Sequence, residues 1–167
     1  MIRTSPMPIP KRALKLEEQG IASQGEPTLG QAYEVFREQW VAGDRERELA
    51  LHLMFVAWYL LLEPASLTGR RACVTDDELR GAFNNAHATV LPSGAGSTDV
   101  EALYACGLMA HLSPWLLGPV EIWEARSNAY RARYRELAPN GISPDVFTER
   151  GGYGEYFRSH ALLKNAY

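Results

Sequence analysis

Residues 44–64 read DRERELALHLMFVAWYLLLEP, and this stretch decides the fold. Across residues 49–62 the only clearly polar side chain is His52. A helix that is apolar on every side must be enclosed by other elements. The run has about 14 residues, fewer than the 18 to 20 that crossing a bilayer requires. We therefore predict a central helix buried in an all-helical domain, with Asp44 as its N-cap.

Several segments around this helix also show helical spacing. The segment before it carries an apolar stripe at three- and four-residue steps and should form a tight hairpin with it across Gly43. Capping-box patterns predict further helix starts at Thr75 and Thr98, and Pro119 suits the first position of another helix. In that helix we expect the following side chains to face inward: Ile122, Trp123, Tyr130, Tyr134 and Leu137.

The C-terminal part is less regular. A short helix is predicted to begin at Ser143 and to end at the Gly151–Gly152 pair. A last helix is predicted over residues 155–165, with Phe157, Ala161 and Leu162 on its buried side. No run of alternating β-branched residues occurs anywhere in the sequence, so no sheet is expected.

These elements predict an all-α fold, a compact irregular bundle of about six helices. Helix starts near Thr28, Thr75 and Pro119 lie about 45 residues apart, which indicates three stacked helical hairpins as an alternative. The residues themselves do not repeat at this period, so the bundle is favoured. At 167 residues the chain has the length of one domain.

We divide the chain into an extended N-terminal arm with a short helix, residues 1–27, and a single helical domain, residues 28–167. Prolines at positions 6, 8 and 10 favour an extended backbone in the arm. The arm is expected to lie on its own domain, to bind a neighbouring molecule, or to remain disordered.

The overall composition is that of an ordinary globular protein, with 46% hydrophobic and 22% charged residues. A net charge of −3 offers no electrostatic basis for nucleic-acid binding. The proline-rich N-terminus lacks the apolar stretch of a signal peptide, so we expect a cytoplasmic protein that does not span a membrane. In that compartment Cys73 and Cys106 are expected to be reduced.

Glu48 and His52 lie four residues apart and project from the same side of the central helix. One such pair is half of a metal site at most, and the further ligands that a helical bundle would supply are not evident in the sequence. We favour a buried imidazole paired with Glu48 or with a backbone carbonyl. Cys106 would act as a nucleophile only if His87 or His160 approached it in space, and a buried packing role is the simpler interpretation. No motif for a cofactor is present.

Two regions are candidates for binding. Arg126 and Arg133 flank Tyr130 at helical spacing, which suggests a shared anion or an acidic partner surface, although a solvated charged face is the simpler interpretation. Residues 142–160 combine glycine, aromatic and charged side chains, as binding loops often do, although a connector capped by aromatic packing is the simpler interpretation. The candidate binding residues are Arg126, Tyr130, Arg133, Arg150, Tyr153, Tyr156 and His160.

The proline-rich arm and the absence of a catalytic motif favour a helical protein-interaction module, such as an adaptor, a chaperone-like protein or an inhibitory partner. A second hypothesis is a small-ligand-binding protein or enzyme with a pocket near His87, His111 and His160. A third is a structural subunit that self-associates through the arm.

Overall fold

The computed structural model describes residues 7–22 and 25–163, and all the regular structure in these ranges is helical. The nine α-helices in the described ranges are α1 (Lys11–Ile21), α2 (Leu29–Val41), α3 (Arg47–Leu62), α4 (Ala65–Thr68), α5 (Asp76–Val90), α6 (Val100–Leu112), α7 (Pro114–Leu117), α8 (Val120–Leu137) and α9 (Gly151–Leu162). The all-α class is therefore confirmed. The number of helices exceeds the predicted six, partly because α4 and α7 have only four residues each, too few to show a periodic pattern.

Helix α3 is the centre of the molecule, as predicted. All its side chains from Leu49 to Trp58 are buried, and those of Phe55 and Trp58 are completely so. The helix packs against α2, α5, α7 and α9. Complete enclosure explains why this helix tolerates apolar residues on every side.

Three of the predicted helix starts are wrong by one or two residues. Helix α3 begins at Arg47, because the Asp44 Oδ1 atom accepts the amide of Glu46 at 3.0 Å in a turn before the helix. Helix α6 is capped by Asp99 and not by Thr98, and Pro119 lies one residue before α8. The cap at Thr75 is confirmed, since its side chain accepts the amide of Glu78.

Helix α1 packs against α2 and α9, and its Ala13 and Glu17 side chains have no exposed surface. The backbone before it is extended at Pro10, and the carbonyl of Met7 lies 3.4 Å from the side-chain amide of Gln39 on α2. The prediction for the first six residues of the arm lies outside the described ranges.

The prediction for the C-terminal part is wrong in its boundaries. Residues Pro144–Phe147 form a single 3₁₀ turn, and Gly151 begins α9 instead of ending an earlier helix. Gly151 has a φ of 69°, and a Cβ atom on Gly152 would lie 2.5 Å from the carbonyl oxygen of Glu17. The two glycines therefore permit α9 to start in close contact with α1. The predicted residues 164 and 165 of this helix lie outside the described ranges.

Two side chains predicted to be buried are exposed. Ile122 on α8 is 48% exposed and Leu162 on α9 is 58% exposed. The rest of the predicted inner side of α8 is correct, since Trp123, Tyr130 and Tyr134 are buried and Leu137 packs against the core. Ile122 adjoins Trp123 in sequence but projects about 100° away from it around the helix axis, so only one of the two faces the core.

Candidate functional site

The most concentrated charges inside the bundle surround His52. The Nδ1 atom of this buried imidazole lies 2.8 Å from the carboxylate of Glu17, and its Nε2 atom lies 3.1 Å from that of Glu48. An ionised carboxylate only accepts hydrogen bonds, so beside two charged glutamates both ring nitrogens donate and the ring is an imidazolium. Burial opposes this charge, but attraction to Glu17 and the hydrogen bonds to both carboxylates outweigh it and raise the pKa of His52 to about 9.

Glu17 has a second function in the same place. Its Oε1 atom accepts the backbone amide of Tyr153 at 2.7 Å, in the first turn of α9. The amides at a helix start lack partners within the helix and carry a partial positive charge, so a carboxylate there is stabilising. Glu17 therefore joins α1, α3 and α9 through one buried side chain.

Arg150 continues the charged cluster toward the surface. It donates to both oxygens of Glu48, at 3.0 and 2.6 Å, and to Glu101 at 2.7 Å. The hydroxyl of Tyr153 donates to the other oxygen of Glu101 at 2.6 Å. Burial disfavours the Glu48 carboxylate, but hydrogen bonds from His52 and Arg150 prevail and lower the pKa of Glu48 to about 2.

The outer end of this cluster is an ion pair between α3 and the N-cap residue of α6. Arg47 donates to both oxygens of Asp99, at 2.8 and 2.9 Å. These contacts support the structural interpretation of the Glu48–His52 pair, with Glu17 as an additional partner. In the described part of the chain, no group of three or more His, Cys, Asp or Glu side chains is arranged to hold a metal ion.

The other candidates from the C-terminal segment lie apart from this cluster. The rings of Tyr156 and His160 are 4.6 Å apart, and both line a cavity of about 540 Å³ between α1 and α9. His160 also borders a second cavity of about 580 Å³, next to Tyr134 and Arg135. Burial lowers the pKa of His160.

Arg126, Tyr130 and Arg133 each contact a different partner. The Tyr130 hydroxyl lies 2.8 Å from Nε2 of His87, and the Arg126 guanidinium lies 4.5 Å from the centre of the Trp123 ring. Arg133 donates to the carbonyl of Ser97 and to Glu136, both at 3.1 Å.

His87 is nearly buried, at 8% exposed, and differs from His52 in its partners. Burial, reinforced by the charge of Arg126, lowers the pKa of His87 to about 4. The ring is therefore neutral at pH 7, and the Tyr130 hydroxyl can donate to its free Nε2 atom.

Cys106 is buried, and its sulfur lies 3.4 Å from that of Met54. Burial raises the pKa of this thiol well above its usual value. Because the thiolate is the reactive form, this position does not present an activated nucleophile.

A different kind of site lies where α6, α7 and α8 meet. Three large apolar side chains within nine consecutive residues are exposed: Leu112 by 40%, Trp115 by 59% and Val120 by 37%. We call these three residues the apolar corner. Trp115 lies in the one-turn helix α7, which is too short to show a periodicity that would predict which of its side chains face outward.

The backbone of α7 is held firmly although its tryptophan is exposed. Ser113, at the start of α7, accepts the indole N–H of Trp58 at 2.6 Å. The carbonyls of Leu116 and Leu117 accept hydrogen bonds from Arg80 and Asn84 of α5, at 3.1 and 3.2 Å. Side chains from two other helices therefore fix the position from which Trp115 projects.

The sequence analysis missed Glu17, the central anion of the charged cluster. One signal was present: Ala13, Glu17 and Ile21 recur at four-residue steps and share one side of α1. A carboxylate on an otherwise apolar helix side is rarely buried without a partner, and so predicts a buried counter-charge.

No protein-family model matches the chain, and no curated protein or solved structure matches it significantly. Within the described ranges, no helix is both long enough and apolar enough to cross a lipid bilayer.

Proposed function

We propose that the chain is a helical protein-interaction module that binds a partner protein through the apolar corner. The observation that carries this proposal is the 59% exposure of Trp115 on a rigidly held turn. Trp115 is exposed together with two other large apolar side chains of the same short segment, and exposed apolar surface of this kind often marks a binding site.

Tryptophan is the side chain most suited to anchor such an interface. It is enriched among the residues that carry most of the binding energy, because its large ring fills a partner pocket and loses few rotatable bonds on binding. The hydrogen bonds to α7 from Arg80 and Asn84 reduce the ordering that binding would otherwise require. The partner that fits is a protein with an apolar pocket that receives the indole.

The cluster around His52 supports a structural function instead. Its members bind one another, and most of them are enclosed by α1, α3 and α9. We therefore assign it to the stability of the fold and place the binding function at the corner.

Replacement of Trp115 by alanine tests the proposal. The tagged chain and Trp115→Ala are used to capture proteins from native extract under identical conditions. A partner retained by the wild type should bind the variant about 30-fold more weakly, the loss expected for an interface anchor. Val41→Ala is the matched control, since Val41 is 76% exposed on α2 and lies outside the corner.

Thermal unfolding of both variants should stay close to that of the wild type, because exposed side chains contribute little to stability. An identical set of captured proteins for the wild type and Trp115→Ala would refute the proposal.

A further inference from the structure

A cavity of about 580 Å³ lies at the C-terminal end of α8, between the segment that follows this helix and the last turn of α9. Its volume falls within the roughly 300 to 1,000 Å³ of cavities that hold small organic ligands. Tyr104 and Tyr134 border it on the side of the core, with ring centres 5.2 Å apart. Most of the remaining wall consists of proline, alanine, isoleucine and leucine side chains. The wall therefore suits the apolar body of a small ligand.

Hydrogen bonds hold the segment that forms the outer wall of this cavity, residues 138–144. The Tyr134 hydroxyl accepts the backbone amide of Ile142 at 2.6 Å, and the carbonyl of Ala138 accepts that of Gly141 at 2.9 Å. Gly141 has a φ of 84°, a conformation that glycine adopts without strain. The wall is therefore in place before a ligand binds, which reduces the ordering that binding requires.

The charge around this cavity is positive and is not balanced by a carboxylate. None of the described residues that border the cavity is acidic, whereas the exposed Arg135 borders it. Arg135 has no ion-pair partner among residues 7–22 and 25–163, and the adjacent Glu136 pairs with Arg133. The cavity between α1 and α9 differs, because Glu18 and Glu155 border it. The free guanidinium makes the cavity beside α8 the one suited to an anion.

Tyr134 supplies a second hydrogen-bond donor beside Arg135. Burial raises the pKa of Tyr134, although the Ile142 amide and the charge of Arg135 act in the opposite direction. The phenol therefore keeps its proton at pH 7, and this proton has no acceptor within the described ranges. A guanidinium and a hydroxyl on the same cavity wall are donors of the kind that bind a carboxylate.

We infer that this cavity binds a small organic monocarboxylate, with Arg135 and the Tyr134 hydroxyl donating to the carboxylate and the apolar wall enclosing the rest of the ligand. One guanidinium balances one negative charge. A single carboxylate is therefore favoured over a phosphate monoester, which carries about two charges at pH 7. The site contains no residue of the apolar corner and does not depend on the partner protein proposed to bind there.

Calorimetric titration of the full chain with naphthylacetate and with the uncharged naphthylacetamide tests the inference. The two probes share an apolar body and differ in charge. The wild type should bind naphthylacetate about tenfold more tightly, the preference expected from one charge-assisted hydrogen bond. The NMR signals of the His160 ring, which borders the cavity, should shift during the titration, and those of the enclosed His52 should not.

Replacement of Arg135 gives the sharper test. Arg135→Gln should bind naphthylacetate about tenfold more weakly than the wild type and naphthylacetamide equally well, because only the charged probe uses the guanidinium. Arg158→Gln is the matched control, since Arg158 is exposed on α9 and does not border the cavity. It should bind both probes as the wild type does. Both arginines are exposed, so neither substitution should alter thermal unfolding.

Three results would overturn the inference. One is a wild type that binds naphthylacetate no more tightly than naphthylacetamide, or binds neither. Another is a preference for the carboxylate that Arg135→Gln leaves unchanged. The third is binding that shifts no signal of His160. Each result would leave the Trp115-dependent capture of another protein unaffected, so the two proposals fail separately.

Discussion

The molecule encloses two histidines in similar apolar surroundings and holds them in opposite charge states. His52 lies 5.5 Å from the ring of Phe36 and 5.1 Å from that of Tyr153, and His87 lies 5.1 Å from the ring of Trp123. His52 nevertheless carries a positive charge, with a pKa raised to about 9, whereas the pKa of His87 is lowered to about 4.

The difference lies in the hydrogen-bond partners. Two carboxylates accept the two N–H groups of His52, whereas Nε2 of His87 is hydrogen-bonded to the Tyr130 hydroxyl. Burial by itself favours the neutral form of either ring. An opposite charge supplied by another helix overcomes that preference for His52, and no carboxylate makes a hydrogen bond or ion pair to His87 in the described part of the chain.

The largest effect is expected from Glu17→Gln. This change preserves the size of the side chain but removes the buried charge that stabilises His52 and the start of α9. Breaking a buried ion pair by removing one partner should lower the free energy of unfolding by about 3 kcal/mol, measured by denaturant titration. Glu18→Gln, at the exposed neighbouring position, should change it by less than about 0.5 kcal/mol. Equal effects of the two substitutions would show that the buried charge contributes nothing.

The contributions of His52 and His87 to the free energy of unfolding should be lost in different pH ranges. Folding favours protonated His52, so its contribution is fully present below pH 6.5 and is lost as the pH rises through about 9. Folding favours neutral His87, so its contribution is present above pH 6.5 and is lost as the pH falls through about 4. Each contribution amounts to about 3 kcal/mol.

Variants separate these two contributions. The difference in free energy of unfolding between the wild type and His52→Gln should shrink above pH 6.5, and that between the wild type and His87→Gln should shrink below it. Titration of both imidazoles in the wild type by NMR gives the same information without variants. If both imidazoles titrated near pH 6.5, the opposite charge states of His52 and His87 would be refuted.

The smallest effect is expected from Tyr130→Phe. Loss of its hydroxyl removes the hydrogen bond between Tyr130 and the His87 ring and should lower the free energy of unfolding by about 1 kcal/mol. It should also raise the pKa of His87 toward its usual value, since a donor that stabilises the neutral ring is gone. Tyr59→Phe, at a partly buried tyrosine outside this pair, should leave the titration of His87 unchanged. A His87 titration curve identical in the wild type and Tyr130→Phe would show that the hydroxyl does not stabilise the neutral ring.

Local patterns in the sequence predicted the parts of this site that lie within one helix. The four-residue spacing of Glu48 and His52 correctly predicted their contact, because residues one turn apart on a helix are always neighbours. The glycines at positions 151 and 152 were interpreted as the end of a helix. Their actual position at the start of α9 depends on the close approach of α1, which no local pattern encodes.

The candidate binding residues illustrate the same limit. Arg150 and Tyr153 were selected because their segment has the composition of a binding loop, and the structure brings both to Glu101, to which no spacing in the sequence relates them. Tyr130 was grouped with two arginines by spacing along α8, but its hydrogen-bond partner is His87 on α5. Spacing identifies which residues share a helix side, and it does not identify what the facing helix supplies.

The sequence by itself determined that the chain folds as helices around an enclosed α3, because apolar periodicity and helix length act over a few turns of the chain. Only the tertiary structure decided the charge on His52 and the exposure of Trp115. His52 is protonated because Glu17, 35 residues earlier, is buried against it, and Trp115 is exposed because side chains of α5 fix the turn that carries it. Both depend on electrostatic and packing contacts between distant segments, which exist only after the helices have assembled.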